Sequence, residues 1–228
     1  MRLSWDGVGV RLFKAGVDRG VLYPMLDDIY GSGIAWNGLT SIDDSSSGRD
    51  TVSLYGLDGR RKTCSTKPDH GGVIKCYTYP DEFEDCIGNI QVAPGLFATK
   101  LLGRQFGFCY RVKIGNDVVG IEHAYEIHIV YGACVTESKT TDSTISSSFK
   151  PFEMSFNYEC AVQDSSYHEP TSHLVVSSRF VNSDALAEIE NILYGTANSE
   201  ARLLLPDELY DIIQLYDPHA NAEEAEAL

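Results

Sequence analysis

GRQFGFCYRVKIGND, residues 103–117, sets the architecture of this chain. Phe106, Phe108, Tyr110, Val112 and Ile114 fall on every second position, and Gly115-Asn116-Asp117 closes the run as a turn. A period of two brings those side chains to one face of a strand. That face belongs to a core. The other carries Gly107, Cys109, Arg111 and Lys113, and is expected either to meet water or to lie against another chain.

The same period recurs on both sides. Tyr125, Ile127, Ile129 and Tyr131 alternate with Glu126, His128 and Val130, and Phe152, Met154, Phe156 and Tyr158 alternate with polar neighbours. Val73 to Tyr79 reads as a strand cut off by Pro80, and Leu174, Val176 and Phe180 suggest one more. Thr51–Tyr55 and Arg60–Cys64 flank Leu57-Asp58-Gly59 as a hairpin. After residue 180 the period becomes helical. Ser183–Tyr194 begins among Asn, Ser and Asp cap candidates, stops at Gly195, and lines Leu186, Ile189 and Leu193 along one side. A second helix starts at Pro206 and runs to about Tyr216, with Leu209, Ile212, Ile213 and Tyr216 inward.

The pattern predicts a mainly β protein of two packed antiparallel sheets, a sandwich or small barrel, with two C-terminal helices on its flank. Residues 1–217 read as one domain and 218–228 as an acidic, flexible tail. Ser/Thr/Asp/Gly-rich stretches at 41–50, 56–72 and 136–150 read as long loops, which in compact domains are usually functional.

Composition excludes several functions. Asp and Glu number 33 against 18 Lys and Arg, a net charge of −15. Wrapping nucleic acid requires basic patches that release counterions, so DNA is expected at most as a passing neighbour, kept mobile by weak repulsion. The longest apolar stretch, Ile129–Val135, is far below the roughly 20 residues of a membrane helix. The start, Met-Arg-Leu-Ser-Trp-Asp-Gly, breaks up too early for a signal peptide, and no glycosylation acceptor occurs, so synthesis in a cytoplasm is expected. The cysteines at 64, 76, 86, 109, 134 and 160 include no Cys-x-x-Cys pair and read as small, buried or half-buried thiols rather than metal ligands.

Catalytic patterns are missing. Gly7-Val-Gly9 lacks the third glycine of a phosphate loop, and Gly31-Ser32-Gly33 is too short for a nucleophile elbow. Glu126 and His128 share a strand face with little else of catalytic type, so His128 reads as structural or superficial. In TYPDEFEDCIGN, residues 78–89, Phe83 interrupts the acidic residues and spoils calcium-loop spacing, leaving a solvated turn. Trp36, in GIAWNGLTSID, is either a core residue or an interface anchor. No catalytic residue, cofactor or metal is expected. An acidic β-rich chain of this kind suits a structural or interaction protein. A carbohydrate- or receptor-binding β-sandwich is a second reading, thinly supported by the two tryptophans, Trp5 and Trp36, and a hydrolase is a third.

GVLYP, GIAWNGLTSID, TYPDEFEDCIGN, GRQFGFCYRVKIGND, YEIHIVYGA, ILYG and ARLLLPDE follow one another in this order from about residue 17 to residue 209. The series resembles the major tail proteins, or tail tube proteins, of long-tailed, non-contractile bacteriophages. The resemblance implies a tail-tube fold and a structural virion protein without enzymatic activity. Its subunits would form hexameric rings stacked into a tube around a tape-measure protein, joined to tail terminator and distal tail proteins. Such a tube would deliver the genome to the host. A tail terminator or tube initiator, which makes one ring, is the alternative within virions. Trp36, Arg111, Lys113, Glu126 and His128 are the residues expected at a subunit interface or on the lumen.

Overall fold

The structure, a computed structural model, describes residues 5–46, 51–55, 61–65, 70–100, 103–140, 144 and 151–216. Its strands are β1 (Leu12–Leu26), β2 (Ile29–Tyr30), β3 (Ile34–Trp36), β4 (Leu39–Ser46), β5 (Thr51–Tyr55), β6 (Arg61–Ser65), β7 (His70–Cys76), β8 (Asn89–Ala93), β9 (Leu96–Thr99), β10 (Phe106–Asn116), β11 (Gly120–Lys139), β12 (Met154–Cys160) and β13 (His173–Ser177). Two helices follow, α1 (Ser183–Tyr194) and α2 (Pro206–Tyr216). The chain is mainly β with antiparallel pairing throughout, as the alternation predicts.

The main sheet runs β2-β1-β10-β11-β12-β7-β4. Besides pairing β10, β11 is long enough to serve two further partners. Its first half pairs β13 through Glu126–Val130, and its second half pairs β12 from Ala133 onward. β3 pairs β1 at Gly20–Trp36 and leads directly into β4, so the two ends of the path are drawn together. The approach there is close: a Cβ on Gly20 would lie 2.2 Å from Leu39 Cδ1 and would push that side chain aside. The result is a barrel-like layer whose inner face holds Leu22, Trp36, Ile74, Phe106, Phe108, Tyr110, Val130, Phe156 and Tyr158 in one cluster.

Phe83 joins that interior from a 3₁₀ turn at Asp81–Phe83. Its ring is fully buried and meets Trp36, Phe106 and Phe156 with centroids 4.5, 5.4 and 5.1 Å away. The acidic turn is thus solvated only on its carboxylate side. The residue that interrupts the acidic run is its anchor.

The second face of β10 is not an open one. Cys109 is fully buried with Val21, Tyr23, Ile127, Ile129 and Tyr131 beneath Leu186, Ile189 and Leu193 of α1. Gly107 lies so close to Leu203 that a Cβ there would be 2.5 Å from its Cδ2. The apolar stripe of an amphipathic helix must be covered, and this chain supplies both surfaces itself. The expectation of water or another chain against Gly107 and Cys109 is therefore corrected: α1 and the segment after it occupy that place.

Both helices keep their predicted bounds. Asn182 caps α1, its Oδ1 accepting from Asp184 N at 2.8 Å, and Gly195 with φ 77° ends it. The predicted loops fare differently. Residues 41–46 belong to β4, 61–65 and 70–72 to β6 and β7, and 136–139 to β11. Polar side chains suit β4 and β7 because each has a sheet neighbour and a wet face, as where Lys75 Nζ donates to Asp43 Oδ2 at 2.7 Å. The expected hairpin pairs Thr51 with Ser65 and Tyr55 with Arg61, while its turn lies outside the described residues. So do most of 141–150 and the tail from 217 onward. Cys76, Cys86 and Cys109 are buried free thiols, and Cys134 and Cys160 are half-buried.

Candidate functional site

The residues singled out from the sequence separate into distinct places. Trp36 is only 5% exposed, its ring lies tilted against Phe83, and its Nε1 donates to Thr78 O at 3.1 Å, so it sits in the core. Arg111 forms a bidentate pair with Asp18, both bonds 2.7 Å, and its guanidinium lies 4.8 Å from the centroid of the Tyr125 ring. The bond from Arg111 holds the Asp18 carboxyl below the usual carboxylate range. Lys113 Nζ donates to Glu122 Oε1 at 2.7 Å. Both cations on this strand are thus neutralised by carboxylates of the same chain, a poor arrangement for gripping phosphates.

Glu126 and His128 point the other way, toward the barrel interior beyond Tyr110. Here the fold assembles a row that no local motif announces. From β11, His128 stacks on Tyr110 with centroids 4.7 Å apart and on His173 of β13 at 5.1 Å. His173 in turn faces His70, at the start of β7, at 4.7 Å. His128 Nδ1 and His173 Nε2 share a hydrogen bond of 3.0 Å. His173 Nδ1 lies 3.2 Å from Asp44 Oδ2, and His70 Nε2 lies 2.6 Å from Asp44 Oδ1. At the far end Glu126 Oε2 is 3.6 Å from His128 Nε2 and 2.6 Å from Lys14 Nζ.

The row is short of hydrogen bonds despite these distances. His70 Nδ1 and Nε2, His128 Nε2, Glu126 Oε2 and the Tyr158 hydroxyl are buried without an aligned partner. The His70–Asp44 and Lys14–Glu126 contacts are close but fall outside hydrogen-bond geometry, and act as electrostatic contacts. Burial lowers the pKa of His128, and burial likewise takes His173 down to about 4. Burial alone would raise Asp44, but contact with His70 and the nearby imidazoles hold its carboxyl below the ordinary range. A groove of about 370 Å³ opens beside His70, between Ser45, Gly72, Thr136 and Glu159. His70, His173 and Asp44 are far apart in sequence, and only the pairing of β4, β7, β11, β12 and β13 brings them together.

Elsewhere the described surface is apolar where two hairpins end. Among the described residues β8 and β9 pair only with each other, and Val92, Leu96 and Phe97 on them are 59, 58 and 49% exposed. At the β10–β11 turn Val118, Val119 and Ile121 are exposed, near Gly9, whose N–H donates to Asp117 Oδ1 at 2.8 Å.

No family model matches the chain, and no curated protein sequence matches it. Solved structures that resemble it come from contractile injection systems. One is from the sheath–tube complex of the extracellular contractile injection system PVC in its extended state, with TM-score 0.36 and 15% identity over 70% of this chain and 88% of that one. Another is from the sheath/tube terminator of the same system, with TM-score 0.35 and 14% identity over 74% and 99%. A third is from the tube-terminating cap of the anti-feeding prophage, with TM-score 0.38 and 13% identity over 78% and 100%.

Proposed function

We infer that this chain is a structural protein of a phage-type tail, a tube subunit that forms six-fold rings and stacks them. The observation that carries this reading is the β8–β9 hairpin. An isolated two-stranded hairpin is marginal in water, and this one also holds Val92, Leu96 and Phe97 out from the body. Such a surface gains stability when another subunit covers it. A closed ring of identical contacts, repeated head to tail, is the arrangement that covers every copy. The ordered segments from GVLYP to ARLLLPDE supply the family, and the acidic balance suits a conduit that DNA passes without sticking. Partners on this reading are further copies of the chain, a tape-measure protein, and terminator and distal tail proteins, with assembly in the host cytoplasm.

Electron microscopy of the concentrated full chain tests it. Stacked rings of tail width are expected, and a double substitution, Leu96→Ser with Phe97→Ser, should abolish them while changing monomer stability by less than about 0.5 kcal/mol, as exposed positions do. Single rings that never stack would favour the terminator reading. Monomers at every salt concentration, or tubes unaffected by the double substitution, would count against the proposal.

A further inference from the structure

The row at the barrel's end lacks one positive charge. From Glu126 to Asp44 run three contacts: Glu126 to His128, His128 to His173, and His173 to Asp44. Two neutral imidazoles carry two ring protons for three contacts, so with the bond between His128 and His173 made, one end sets a bare nitrogen against a carboxylate. A cation at each end would complete the row. Lys14 is that cation beside Glu126. Among the described residues, no lysine or arginine stands within ion-pair distance of Asp44, which meets only His70 and His173.

We propose that Asp44, His70 and His173 bind a divalent transition-metal ion of the zinc class at the end of the barrel interior. One ligand atom from each lies within 4.8 Å of the others. A tetrahedral ion with bonds of about 2.0 Å spaces its ligands about 3.3 Å apart; His173 and Asp44 already stand at 3.2 Å, and His70 and Asp44, at 2.6 Å, would open by about 0.7 Å to admit it. Two imidazoles and one carboxylate are a donor set such ions accept. The ion takes the lone pairs that hydrogen bonding leaves over, including the one on His70, whose buried ring nitrogens make no aligned hydrogen bond.

His128 then acts behind the ligand. Its Nδ1 accepts from His173 Nε2–H, which turns His173 Nδ1 toward Asp44, and Tyr110 holds the His128 ring by stacking. The groove beside His70 gives the ion a path from solvent. Three protein ligands leave a fourth position for water or for a donor from a neighbouring molecule. Because the ligands sit on β4, β7 and β13, the ion would clamp β13 to the directly paired β4 and β7, to which the sheet otherwise joins it through β11 and β12.

Calorimetric titration of the metal-stripped full chain with Zn²⁺, and with Co²⁺ followed by its visible absorption, tests the site. One ion per chain is expected. Asp44→Asn and His173→Gln should each weaken binding about 100-fold, and His128→Gln about 10-fold, as loss of a supporting partner does. His168→Gln, an exposed histidine elsewhere, should bind like the unaltered protein. A variant that misfolds does not remove the test. Imidazole nitrogen NMR of the unaltered chain should show Zn²⁺ shifting His70 and His173 while sparing His123 and His168. Saturable binding absent at one ion per chain, shifts confined to His123 and His168, or folded Asp44→Asn and His173→Gln variants that bind normally would each overturn the proposal.

Discussion

Phe83→Ala is the substitution that most directly probes how this barrel is held. The Phe83 side chain is fully buried and touches aromatic rings from β3, β10 and β12 as well as Tyr79. Returning a ring of that size to water costs about 1.5–3 kcal/mol. The cavity it leaves adds to this, because the surrounding rings can relax only in part. Phe-to-Ala changes at such positions total about 3–5 kcal/mol. Three near-perpendicular or tilted ring pairs place the value toward the upper end. For a chain of this length the loss corresponds to a fall in Tm of roughly 6–20 °C. Urea unfolding followed by tryptophan fluorescence is a suitable assay, since Trp36 packs against the deleted ring. Phe83→Leu, which keeps most of the apolar volume, should recover more than half the loss. A destabilisation of Phe83→Ala below about 1 kcal/mol would refute the reasoning, because it would mean that the 3₁₀ turn is not seated in the core.

Two further outcomes follow from specific contacts. Asp18→Asn removes the bidentate acceptor of Arg111 from a partly exposed pair, and should cost about 1 kcal/mol at neutral pH. The folded state depresses the Asp18 pKa, so its contribution is full above the ordinary carboxylate value of about 4 and fades as pH falls through the lower folded value. The gap in urea midpoint between the unaltered protein and the Asp18→Asn variant should therefore close on acidification, and a gap that widens would contradict the assignment. Asn182→Ala deprives α1 of its cap and should lower stability by about 1 kcal/mol, read by thermal unfolding, with Asn182→Asp retaining most of it.

Local pattern determined a good deal about this protein. Period-two alternation located β10, β11 and β12, and helical spacing bounded by Asn182 and Gly195 located α1, because side-chain direction follows from backbone geometry alone. Polar content misled where Ser, Asp and Thr fill strands, since a sheet satisfies the backbone whatever the wet-face side chains are. Phe83 looked like an interruption because an acidic turn gives no hint that its one aromatic residue points inward. Gly107, Cys109, Arg111 and Lys113 read as one face, either open to water or set against another chain. In the structure the first two lie under α1 and the segment beyond it, and the last two are tied to Asp18 and Glu122. Asp44, His70, His128 and His173 show the limit most plainly. They come from four strands, and only the closing of the sheet sets their nitrogens and oxygens within reach. Alternation decides which way a residue points, a property of its neighbours in the chain. What it meets there depends on strand order, and strand order is settled by long-range pairing that no short stretch encodes.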